Sequence, residues 1–205
     1  MARPTGEPWP PRVLVAAHYD SFVGSPGAHD NASGSAAMGL VARRMAAAAP
    51  GVGFAAFDAE EWNKLGAERH AAALEQSGRL TDVRLMINVD SVGVGEHLYV
   101  LASPGLGEPI EAALRSAGAT VRGGAARLPS GRWVFVQENP AMKPFDAWPF
   151  MRRGVPAVQI GSLGDRPFDQ WHQPGDSVDG IGEAGRKLIA DAAGVVEALA
   201  RAEWR

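Results

Sequence analysis

Arg12-Val13-Leu14-Val15-Ala16-Ala17, with His18-Tyr19-Asp20 directly behind it, is the stretch from which the architecture can be read. The run follows prolines and is almost wholly apolar. A short continuous apolar run bounded by turn residues reads as a buried strand. The same kind of segment recurs at residues 52–58 (VGFAAFD), 83–89 (VRLMINV), 98–102 (LYVLA), 132–137 (RWVFVQ) and 157–161. Between these lie helix-like segments. Residues 33–48 are rich in Ala, Leu, Met and Arg and stop at Pro50-Gly51; residues 65–76 end at Ser77-Gly78. Residues 107–117 end at Gly118, residues 146–153 read as a short helix, and residues 181–201 as a long terminal one. Apolar strands alternating with helices predict an α/β domain with helices on both faces of the sheet. No internal repeat is visible. Residues 163–179 form a long polar segment rich in Gly, Pro and Asp, and a loop of that length in a compact domain is usually either functional or disordered.

The 205 residues suit one domain, and 46% hydrophobic with 21% charged residues is ordinary for a globular chain. A net charge of −3 without a Lys/Arg run gives no footprint for nucleic acid. Cysteine is absent, which excludes disulfides, thiolate ligands and a cysteine nucleophile. Residues 1–11 are a Pro-rich extension with no apolar signal-peptide core, and no stretch approaches the length of a membrane span. The expectation is therefore a single domain over 1–205, cytoplasmic, with no membrane and no nucleic-acid partner.

Acids and histidines gather just after the expected strands, where open α/β sheets place their sites. His18 offers an imidazole, and Asp20 is placed to accept its other ring N–H; alone, the pair reads equally as an exposed histidine that happens to lie beside an aspartate. Asp30 precedes a helix and can be a cap, although Asn31 or Ser33 can cap instead. His29 has no evident task beyond local structure. Glu60-Glu61 follow an apolar strand, where adjacent carboxylates repel unless a cation is near; the alternative is a solvated acidic turn. Asp90 ends a strand, in which Asp is disfavoured, or starts a turn. His172 is a ligand or a loop residue. Imidazole and oxygen donors without thiolate suit zinc in a catalytic site, or manganese or cobalt. Trp133, Phe135, Trp148, Phe168 and Trp171 line an apolar pocket or, for most of them, simply pack in the core.

Six strings in order resemble the co-catalytic di-zinc aminopeptidases, whose clan includes glutamate carboxypeptidases and glutaminyl cyclases. They are Ala17-His18-Tyr19-Asp20-Ser21, Asp30-Asn31-Ala32-Ser33-Gly34, Phe57-Asp58-Ala59-Glu60-Glu61-Trp62, Ile87-Asn88-Val89-Asp90, Pro149-Phe150 through Gly154-Val155-Pro156-Ala157, and His172 through Asp176. The resemblance implies a three-layer α/β/α sandwich around a mixed, mostly parallel sheet. It implies two zinc ions, with Asp30 bridging, His18 and Asp90 on one and Glu61 and His172 on the other. Glu60 is then the general base and Asp20 the partner of His18. The implied substrate is a peptide or small amide, and the implied activity is aminopeptidase. Other amide hydrolases, a glutaminyl-cyclase-like acyltransferase and a non-catalytic binding module are the alternatives. Met151-Arg152-Arg153-Gly154-Val155-Pro156 looks cyclase-like, whereas Asp30-Asn31-Ala32-Ser33-Gly34 is the peptidase form.

Three departures stand out. The family usually has Ser-Asp-His where this chain has Phe145-Asp146-Ala147. Many members carry a carbonyl-binding tyrosine just upstream, whereas residues 139–144 hold none and the chain has only Tyr19 and Tyr99. Only 17 residues precede His18, so the expectation is either a sheet that loses strands at its N-terminal side or a homo-oligomer in which another subunit covers the exposed edge.

Overall fold

A computed structural model describes residues 10–45, 51–165 and 168–204. Residues 1–9 of the Pro-rich extension and residues 46–48 of the first expected helix lie outside the described residues.

The elements run β1 (Val13–His18), α1 (Ser33–Met45), β2 (Val52–Phe57), α2 (Leu65–Gln76), β3 (Leu85–Val89), β4 (His97–Ala102) and α3 (Gly107–Ser116). They continue with β5 (Thr120–Arg122), β6 (Ala125–Arg127), β7 (Trp133–Glu138), α4 (Trp148–Met151), β8 (Ala157–Leu163) and α5 (Val178–Arg201). All eight strands form one sheet in the order β2-β1-β3-β8-β4-β7-β6-β5. The pairs β1–β2, β1–β3, β3–β8 and β4–β7 are parallel; β4–β8, β6–β7 and β5–β6 are antiparallel. The sheet is thus mixed and mostly parallel, with β2 at one edge.

Period-2 alternation explains why β1 is apolar throughout. Val13 and Val15 face one core, which also holds Ala37 and Val41 of α1, Ile110 and Leu114 of α3, and Leu188 and Val196 of α5. Leu14 and Ala16 face the other, with Ala67, Ala71 and Leu74 of α2 and Phe150 of α4. A strand covered on both sides buries every side chain, as all six residues of β1 do. The second layer covers β1, β2, β3 and β8 but stops short of β7, which leaves Trp133 and Phe135 exposed. Those two aromatics therefore belong neither to the core nor to the site cavity.

The β5–β6 hairpin was not among the expected strands. Its signal is local: Gly123-Gly124 joins two three-residue strands, both glycines at positive φ (49° and 78°), as a tight primed turn requires. Strands of three residues carry too little periodicity to stand out. The terminal helix begins at Val178 and is interrupted at Gly182 (φ 58°), so its uninterrupted part starts close to the expected residue 181. Arg152 and Arg153 from the cyclase-like string pair with Glu68 of α2, and Arg153 also with Glu75 at 3.0 Å, locking α4 onto α2. Among the described residues no helix is long and apolar enough to cross a membrane.

Candidate metal centre

Three parallel strands, β2, β1 and β3, end side by side and deliver their next residues to one place. His18 is the last residue of β1, Glu60 and Glu61 follow β2, and Asp90 follows β3. Asp30 comes from the turn Ala28–Ala32 that leads into α1, and His172 from the loop between β8 and α5. Every residue expected at the site from the sequence is therefore brought together.

His18 Nε2 lies 3.2 Å from Asp30 Oδ1 and 3.4 Å from Asp90 Oδ1. His172 Nε2 lies 3.4 Å from Asp30 Oδ2 and 3.1 Å from Glu61 Oε2. The two oxygens of Asp30 thus face different His–carboxylate pairs, giving two donor triads that share one residue. His18 Nε2 and Glu61 Oε1 are buried without a hydrogen-bond partner. Buried polar atoms are almost always satisfied, and converging imidazole and carboxylate donors left without one fit a cation. Burial works against protonating His18, yet the flanking Asp30 and Asp90 carboxylates prevail and push it up to about 12. A site that draws a proton so strongly onto His18 is asking for positive charge.

The centre is held by bonds that reach across the sequence. The Asp20 carboxylate accepts the N–H groups of Glu60 (3.1 Å) and Glu61 (3.3 Å), while its backbone oxygen is 3.1 Å from His18 Nδ1. Asp20 therefore fixes the Glu60-Glu61 turn as well as orienting His18. Asn31 Oδ1 accepts from Gly34 N–H at 2.9 Å and Ser91 N–H at 3.1 Å, and Nδ2 donates to the Val89 carbonyl at 3.0 Å. Asn31 is the cap of α1, which leaves Asp30 free, and it ties the Asp30 turn to the strand end carrying Asp90. The Asp30–Asn31 peptide is cis. His29 accepts the N–H groups of Gly93 and Val94 at Nδ1, both at 3.1 Å, a local structural role. A Cβ at Gly34 would lie 2.3 Å from Asn31 Oδ1 and 2.3 Å from the Val89 carbonyl oxygen. Gly34→Ala is accordingly expected to cost about 1–3 kcal/mol, seen as a Tm lower by several degrees, together with weaker metal binding as Asn31 is displaced.

Two residues support the Asp30 turn in ways the sequence does not announce: Asp176, and Trp171, read from sequence only as a pocket or core aromatic. Asp176 accepts the N–H of His29 at 2.6 Å and of Asp30 at 3.1 Å from 146 residues away. The Trp171 indole donates to Asp30 Oδ2 at 2.5 Å and packs on His172 with ring centroids 4.0 Å apart. Asp176→Asn keeps one acceptor and loses the other; metal affinity is expected to fall about 10-fold, measurable by competition with a chromogenic chelator.

Glu60, Lys64, Tyr99, Phe145, Phe168 and Trp171 line a cavity of about 470 Å³ beside the triads, a volume that suits a small ligand. Of the five aromatics singled out from sequence, Phe168 and Trp171 are the ones that reach it. Burial first, then the neighbouring Asp146 carboxylate, push Glu60 up to about 8. Asp146 is fully buried with neither oxygen hydrogen-bonded, and burial raises it to about 7.

A family model described as peptidase family M28 matches residues 1–196. The chain belongs to peptidase family M28. Aminopeptidase YwaD of Bacillus subtilis (strain 168) is 28% identical over 211 residues, covering 97% of the chain and 44% of that protein. The solved structure of BSAP, a zinc aminopeptidase from Bacillus subtilis, superposes with a TM-score of 0.74 at 26% identity, over 97% of the chain and 47% of BSAP. The glutaminyl cyclase of an Acidobacteriales bacterium shares the fold at a TM-score of 0.66 and 22% identity, over 92% of the chain and 68% of the cyclase. This M28 chain thus spans about half the length of the two aminopeptidases it matches. Its α/β fold is that of the zinc aminopeptidases.

Proposed function

We propose that this M28 chain is a two-zinc metallopeptidase of the aminopeptidase type. The observation that carries the reading is Asp30, whose two carboxylate oxygens face the separate donor pairs His18/Asp90 and His172/Glu61. When bound, the ions would acidify a water and polarise the scissile carbonyl. The chain's own residues do the rest. Glu60, which lines the cavity, takes the proton from the attacking water and passes it to the departing amine, so that one C–N bond breaks as one C–O bond forms. Asp20 and Asp176 hold the Glu60-Glu61 turn and the Asp30 turn in register. Phe145, Phe168 and Trp171 give the cavity apolar wall that limits water.

The test pairs metal analysis with a substrate panel. Purified protein is expected to carry about two zinc-like ions per chain and to release p-nitroaniline from free aminoacyl p-nitroanilides. Turnover of N-acetylated substrates alone would exclude an aminopeptidase, and one ion with cyclisation of N-terminal glutamine would favour the cyclase-like alternative.

A further inference from the structure

Tyr99 reaches the cavity from an element that carries none of the candidate ligands. It belongs to β4, which runs antiparallel to β8 with Tyr99 paired to Gly161. A Cβ at Gly161 would lie 2.3 Å from both Cζ and Oη of Tyr99. The ring therefore lies across a gap that only glycine leaves. On its far side, the Asp90 N–H bonds to the Ile160 carbonyl, so the strand end carrying Asp90 is the next element reached.

Beneath the ring a polar chain crosses three strands. Asn88 and Gln159 oppose each other across β3 and β8, and both are fully buried. Asn88 Nδ2 donates to Gln159 Oε1 at 2.6 Å, and Gln159 Nε2 donates to the Ile160 carbonyl at 3.1 Å. Gln159 also hydrogen-bonds the Tyr99 phenol. The Gln159 Nε2 keeps a second proton beyond the one given to the Ile160 carbonyl, and donating it to the phenol oxygen leaves the Tyr99 O–H available to a ligand in the cavity. Two other neutral donors of the lining are engaged, the Trp171 indole by Asp30 and the Ser91 hydroxyl by Asp90. Burial, reinforced by the Asp90 carboxylate, raises the phenol to about 12, so it keeps its proton at any working pH.

We propose that the Tyr99 hydroxyl binds the substrate's scissile carbonyl oxygen and stabilises the negative charge that develops there, with Gly161 admitting the ring and Gln159 positioning it. The proposal rests on the aminopeptidase reading for its substrate. A donor aimed at developing charge contributes to the transition state more than to ground-state binding. Tyr99 donates a hydrogen bond throughout and never transfers its proton; the proton movements remain those of the water, Glu60 and the leaving amine.

The primary variant is Tyr99→Phe, which keeps the ring and removes only the hydroxyl. In zinc-loaded protein acting on L-leucine p-nitroanilide, kcat is expected to fall on the order of 100-fold, with KM and zinc content little changed. Gly161→Ala should cost a similar factor in the parent and almost nothing more in the Tyr99→Phe background. A Tyr99→Phe kcat within about twofold of the parent overturns the proposal. So does a loss that tracks loss of zinc, which would make Tyr99 a support for the metal centre. A second readout needs no turnover. Only two tyrosines are present, so 3-fluorotyrosine labelling gives two fluorine resonances, and Tyr99→Phe assigns them. L-leucine hydroxamate added to zinc-loaded protein should move the Tyr99 resonance. If the hydroxamate binds and that resonance does not move, the proposal is overturned even if the protein hydrolyses no peptide. An inactive parent with a responsive Tyr99 would instead overturn the aminopeptidase reading alone.

Discussion

Glu60→Ala is expected to keep its full metal content and lose roughly 10³–10⁴-fold in kcat, the contribution of a positioned acid–base group. Glu60 faces the cavity, and its carboxylate takes no part in either donor triad, so removing it should leave the ions in place. Full activity with Ala at 60 would refute the assignment. The pH dependence of the parent supplies a finer test. A general base must be ionised, so activity should fall on the acid side as Glu60 takes up a proton. Bound cations pull that limb below the value of about 8 set by burial and Asp146 in the metal-free protein. The negative charge of Asp146 holds Glu60 up; Asp146→Asn removes that charge at constant shape, which favours the Glu60 carboxylate. The acid limb of kcat/KM should then move to lower pH. A limb that stays in place would mean that Asp146 is already neutral when the enzyme works.

The candidate donor set was legible in the sequence because most of its residues lie at or near strand ends. Apolar runs mark the strands, and each of His18, Glu60-Glu61 and Asp90 comes within a few residues of a strand end. Asn31 could also be read as a cap. Apart from Asp20 and Asn31, the support around the set was not legible, because it is made by distant partners. Asp176 ends one of the strings that carry the resemblance, but nothing local says that its carboxylate holds the backbone of His29 and Asp30. Tyr99 reads as one more apolar strand residue. Its place at the cavity depends on β4 lying antiparallel beside β8 and on Gly161 falling opposite it, a register that no local pattern encodes. The Gly123-Gly124 hairpin is the converse case, a local signal outweighed by the brevity of its strands.

Asp30→Ala is expected to abolish binding of both ions, whereas His172→Ala and His18→Ala should each weaken chiefly one. The asymmetry follows from sharing, since Asp30 belongs to both triads while each histidine belongs to one. Metal content after gel filtration reads it directly, and equal stoichiometry in all three variants would sink the shared-carboxylate geometry. Stability reports the same linkage. A ligand at a thousand times its Kd stabilises by about 4 kcal/mol, and 1 kcal/mol moves Tm by about 2–4 °C at this size. Chelation should therefore lower Tm by roughly 8–16 °C for each ion bound that tightly. Asp30→Ala should start at the low value and show no response to zinc or chelator. The metal-free protein should also lose stability as pH rises. Glu60 and Asp146 are raised from 4.5 and 3.8 to about 8 and about 7, so across that interval the folded state holds protons that the unfolded chain has released. His18 acts in the same direction above its unfolded value of 6.5, since its folded value is about 12. Buried His29 and His70, lowered from 6.5, act the other way below that value, so the fall in Tm of the chelated protein is expected between about pH 6.5 and pH 9. A bound cation would supply the positive charge that those protons otherwise provide, so the metal-loaded protein should be much less sensitive over the same range. A chelated protein whose Tm rises across it would show that the carboxylates around Asp30 are held by something other than their need for a cation.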